Sequence, residues 1–124
     1  MTDAEKIYDF CDEMWERQII PQLTEYIKIP AKSPAFDAAW EDHGYMRAAM
    51  DLIETWVRAQ PVTGMKVERI QLPGRTPLLF IEIPGKGEDV VLMYGHMDKQ
   101  PEMVGWNVDL GAWKPLRAGD KLYG

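Results

Sequence analysis

The order of apolar patterns predicts an α/β chain with helices packed on a mixed sheet. Two stretches with helical spacing come first and three strand-like runs follow; from Gly95 onward no amphipathic period survives. The frame is that of an ordinary globular protein about one domain long, with 124 residues, 46% hydrophobic and 27% charged.

The first helix opens on Thr2-Asp3-Ala4-Glu5, which has the spacing of a capping box. Ile7, Phe10, Cys11, Met14 and Trp15 then recur on one face, predicting a helix over about residues 3–18. Pro21 should kink or interrupt it, and Ile29-Pro30 should end it after another turn or two at Leu23, Tyr26 and Ile27. Residues 31–40 read as a loop sheltering Phe36 and Trp40. Met46, Ala49, Met50, Ile53 and Val57 form the stripe of a second helix over about residues 42–59, stopped by Gln60-Pro61.

Met65 to Leu72 reads as a strand whose alternation slips near Arg69, where a bulge is expected. Leu78 to Ile83 and Val90 to Tyr94 are nearly continuous apolar runs, the pattern of strands covered on both faces. The short, turn-rich connection 84–89 makes these two runs expected antiparallel neighbours. No later helix is present to cover the other face of such a sheet, so further chain is expected beyond Gly124.

Charge and cysteine use exclude several functions. The net charge is −6 and the 14 basic residues are scattered, which argues against a nucleic-acid partner. Cys11 is the only cysteine, so no internal disulfide can form, and a reducing cytoplasm is the expected location. The polar, acidic start is unlike a signal peptide, and no apolar run reaches membrane-spanning length.

His96 follows the most apolar run directly, in Tyr94-Gly95-His96-Met97-Asp98. In open α/β sheets ligands bind beyond the carboxyl ends of strands, and in extended backbone residues i and i+2 point the same way. His96 and Asp98 are therefore expected to face one pocket, as a metal-binding imidazole with a carboxylate behind it. Alone, a His-x-Asp pair is common by chance, and a strand-end histidine is more often structural. The surrounding residues give it weight.

Gly95-His96-Met97-Asp98-Lys99-Gln100-Pro101, then Gly105-Trp106, then Lys121-Leu122-Tyr123-Gly124 resemble a superfamily of co-catalytic zinc hydrolases. It includes carnosinase-like dipeptidases, aminoacylase, acetylornithine deacetylase, succinyl-diaminopimelate desuccinylase and glutamate-releasing carboxypeptidases. The likeness is close over residues 78–124 and looser over the two-helix start and the Ile29-Pro30 exit. It implies that His96 ligates one zinc and that Asp98 belongs to the catalytic machinery by orienting that imidazole. It further implies two zinc ions bridged by an aspartate and a water, with a glutamate as general base, hydrolysing dipeptides or N-acyl amino acids. Gln100-Pro101 is similar to the dipeptidase branch. Lys99 and Leu110-Gly111-Ala112-Trp113 depart from the family pattern beside the site, which puts substrate preference in doubt more than metal binding.

The resemblance also implies that the bridging aspartate, the glutamate pair and the second histidine lie beyond Gly124. Residues 1–124 are then the amino-terminal portion of a truncated catalytic domain, inactive alone, with weak zinc affinity and a tendency to self-associate or form homo-oligomers. The alternative is a non-catalytic remnant of the fold acting as a binding module. Elsewhere, His43 is expected to be exposed at a helix start, and Cys11 and most methionines to fill the core. Trp106 and Trp113 should anchor the last segment to the sheet, with Glu102, Asp109 and Asp120 solvated or in turns.

Overall fold

The capping box at Thr2 forms: the Thr2 hydroxyl accepts from the Glu5 amide while the Glu5 carboxylate accepts from the Thr2 amide at 2.6 Å. It starts α1 (Asp3–Met14) in the computed structural model, which describes residues 1–124. The expected interruption at Pro21 takes a specific form. Trp15–Ile19 widens into a π-helical turn, in which the Ile20 amide donates to the Trp15 carbonyl, and α2 (Ile20–Ile27) follows. Proline cannot donate and crowds the carbonyl four residues back, and a wider turn just ahead of it relieves that clash.

The chain divides into two compact units. One comprises Met1–Pro30 and Glu102–Gly124, the other Ala31–Pro101. In the first unit no residue of α1, the π turn or α2 is buried, and Cys11 is exposed. This corrects the expected core role of Cys11 and of the stripe around it: Ile7, Phe10 and Trp15 are aligned on one face but nothing lies over them. The final segment, expected to be irregular, holds a hairpin of β3 (Leu116–Ala118) and β4 (Lys121–Tyr123). Gly119 takes φ 62° at the first position of its two-residue turn, a conformation glycine adopts without steric cost. Arg117 of β3 grips Glu16 of the π turn with both guanidinium nitrogens, at 2.6 and 2.7 Å, and this holds the Glu16 carboxyl below its ordinary range.

In the second unit the helix expected over about residues 42–59 is broken near its start, and its stripe lies wholly in the second piece. α3 (Trp40–His43) ends at Gly44, whose φ of 70° breaks the helix before α4 (Tyr45–Arg58) begins. From α4, Met46, Ala49, Met50 and Val57 are buried, and Ala31 completes the core. Phe36 stays largely exposed, contrary to the expected shelter. β1 (Lys66–Ile70) pairs antiparallel with β2 (Leu78–Glu82) in unbroken register from Lys66 opposite Glu82 to Ile70 opposite Leu78, so the expected bulge at Arg69 is absent. The alternation slipped because Arg69 sits on the covered face beside Val67, where Asp51 and Glu54 of α4 receive its guanidinium. Arg58 adds a hydrogen bond to the Val67 carbonyl at 2.9 Å.

Val90 to Tyr94 do not form the expected strand. Their side chains are 86–90% exposed, and β2 takes β1 as its partner instead. Apolar content suits a residue to a strand, but a strand exists only where another backbone supplies the ladder. The sheets are thus two antiparallel hairpins rather than one mixed sheet, and the coarse α/β class holds. The one parallel pairing is an isolated bridge between Lys32 and Lys99. No helix is long and apolar enough to cross a membrane.

Candidate functional site

His96 lies outside any helix or strand, beyond the Val90–Tyr94 run. Its ring meets Asp98 as the i, i+2 spacing anticipates: Nδ1 is 3.0 Å from the Asp98 carboxylate Oδ1 and 3.0 Å from the Asp98 backbone oxygen. Both partners accept, so they select the tautomer carrying its proton on Nδ1. Nε2 then keeps its lone pair, has no partner within the chain, and faces water on a ring whose side chain is 64% exposed. Asp98 is more covered, at 34%.

The backbone around the pair is held by the loop that leaves the first helical stretch. The Lys99 amide donates to the Ala31 carbonyl at 2.8 Å, and the Ser33 amide donates to the Lys99 carbonyl at 2.9 Å. Buried Ala31 is therefore the anchor on which the residues after Asp98 rest. Burial also lowers the Lys99 ammonium to about 8, because a half-covered cation loses part of its hydration. Sequence reading marked Lys99 only as a departure from a pattern. The pairing of residues 31–33 with Lys99 has no local signal, since it joins segments more than sixty residues apart.

His43 is exposed, as expected, and it also has a carboxylate partner. It closes α3, and its Nδ1 meets the Asp37 carboxylate at 2.8 Å, with the Tyr45 ring 5.6 Å away. Asp37 is only 9% exposed and also accepts from the Ala39 amide. The His43 hydrogen bond holds its carboxyl below the ordinary range. This pair fastens the loop to the helix start and leaves no second imidazole beside His96. Trp106 and Trp113 are tied locally, through Nε1 to the Met103 carbonyl at 2.8 Å and to the Glu102 carboxylate at 3.3 Å. Glu102 thus has a structural partner, and Asp109 occupies a turn with φ 72°.

A zinc ion would fit one corner of this arrangement. An imidazole with Nδ1 held by a carboxylate and Nε2 open is the usual form of a zinc-binding histidine. A catalytic zinc takes three protein ligands, and no group of three or more His, Cys, Asp and Glu side chains in the chain could hold a metal ion. No protein-family model matches the sequence, and no curated protein matches it significantly.

Proposed function

We propose that His96 is a zinc ligand in a peptidase or amidohydrolase of the two-zinc kind, and that Asp98 holds its imidazole in the ligating tautomer. Residues 1–124 are then the amino-terminal portion of that catalytic domain. The observation that carries this reading is the His96–Asp98 contact at 3.0 Å with Nε2 left open. The family resemblance around it supplies the reaction class. Zinc, when bound, supplies Lewis acidity toward an amide carbonyl and toward water. His96 contributes the Nε2 lone pair. Asp98 fixes the ring plane and, by holding the Nδ1 proton, the tautomer that leaves Nε2 free to ligate. The substrates are small peptides or N-acyl amino acids, in a reducing cytoplasm that suits a single free thiol. With one ligand in place, the isolated chain binds zinc weakly and is inactive.

The codons after Gly124 test this first. Arg-Gly followed by paired aspartates supports the enzyme; a stop codon favours a non-catalytic module. The product of the longer reading frame should then hydrolyse dipeptides or N-acyl amino acids with zinc. His96→Ala should abolish that activity, and Asp98→Asn should lower activity or metal affinity about 10- to 100-fold. Full activity in His96→Ala would defeat the proposal.

A further inference from the structure

A cavity of about 620 Å³ opens between α3, the start of α4 and the loop joining β1 to β2. Its volume falls within the roughly 300–1,000 Å³ of small-molecule sites. Met46 and Met50 are already buried beneath it, and Trp40 and Leu72, the latter 58% exposed, give it an accessible apolar surface. None of its lining residues belongs to the His96–Asp98 pair.

Three charged side chains line the cavity, and their bookkeeping differs. Arg69 is spent, since Asp51 and Glu54 accept its guanidinium. Arg47 and Glu41 are not. Both are exposed, neither makes an ion pair or hydrogen bond within the chain, and they do not pair with each other. The hollow therefore presents one free cation and one free anion beside an apolar lining. A simple anion would meet Glu41 as a like charge, and a simple cation would meet Arg47. A ligand carrying both charges meets each with its opposite, and an apolar body would cover the indole and Leu72.

We propose that this cavity binds a zwitterionic small molecule with an apolar side chain, the chemical class of free apolar amino acids. Its carboxylate pairs with Arg47, its ammonium with Glu41, and its side chain lies against Trp40 and Leu72. The site is independent of zinc and of the hydrolytic reading, so its test reads binding alone.

The probe is L-phenylalanine, titrated into the full chain labelled with ¹⁵N and with ¹³C in the methionine methyls. Saturable shifts are expected at the Trp40 indole N–H and the Met46 and Met50 methyls. Because both charges are exposed, Arg47→Gln and Glu41→Gln should each weaken binding by about two- to fivefold, with unchanged melting curves. Phenethylamine, which lacks the carboxylate, should bind more weakly and ignore Arg47→Gln. 3-Phenylpropionate, which lacks the ammonium, should bind more weakly and ignore Glu41→Gln. Absence of saturable shifts at these residues overturns the proposal. So does equal binding of either single-charge analogue, or variants that bind L-phenylalanine as the parent chain does.

Discussion

Truncating Met50 to alanine tests the one place where this chain has a sealed interior. Its side chain has 0% exposure, the largest so buried, and it sits on α4 with Met46, Ala49 and Val57 as the other covered positions of that helix. The substitution removes Cγ, Sδ and Cε. At roughly 0.8 kcal/mol for each methylene-sized group, the lost transfer free energy is about 2.4 kcal/mol. Met→Ala losses run to about 5 kcal/mol when a sealed void remains. Met50 is sealed from solvent at 0% exposure, so a void remains beside its neighbours and about 2–5 kcal/mol is expected. Urea unfolding followed by tryptophan fluorescence reads this as a lowered midpoint at constant slope. Met93→Ala is the control, because Met93 stands 88% exposed in the Val90–Tyr94 run and its truncation should change stability by less than about 0.5 kcal/mol. A loss below about 0.5 kcal/mol for Met50→Ala would refute the packing of α4 described above. A loss at Met93 as large as that at Met50 would show that the run is covered in solution.

Three further outcomes follow from other features. Gly44→Ala should cost about 1–2 kcal/mol, since φ is 70° there and the added methyl meets nothing within 4 Å, leaving backbone strain as the whole effect; an unchanged melting temperature would contradict it. The Asp37 carboxyl should titrate below its ordinary value of 3.8, so the stability it contributes is present above that pH and lost as pH falls through the lowered value. His43→Ala should return the titration toward 3.8, as read by carboxyl ¹³C shifts. Lys99 should titrate near 8 by side-chain ¹³C NMR. Because folding lowers this value, its charge opposes folding below about 8, and the penalty fades as pH rises toward 10.5; a measured value near 10.5 would refute the burial.

What could be read from the residues alone was what depends on near neighbours. The Thr2–Glu5 capping box, the interruption at Pro21 and the stripe of Met46, Ala49, Met50, Ile53 and Val57 each rest on contacts within one or two helical turns, and each appears in the structure, Ile53 being half-buried and the other four buried. The His96–Asp98 contact was legible for the same reason, since its partners stand two positions apart. Val90 to Tyr94 was misread because hydrophobicity reports fitness for a strand and says nothing about the backbone that must pair with it. Arg69 was misread as a bulge because an inward-facing charge breaks alternation just as an inserted residue does, and its acids lie 15 and 18 positions away in α4. The β3–β4 hairpin had a signal that was passed over. Gly119-Asp120 is a glycine-first hairpin turn between two short apolar-containing strands.

The exposed position of Cys11 on α1 has a stoichiometric consequence. With one thiol per chain, oxidation can join two molecules and then has nothing left to react with. The largest covalent product is a pair linked back to back through the same helix, never a ladder of higher species. The same arithmetic makes Cys11 a single-address handle: a maleimide dye or nitroxide attached there reports from one known point in the molecule, without any other cysteine having to be removed.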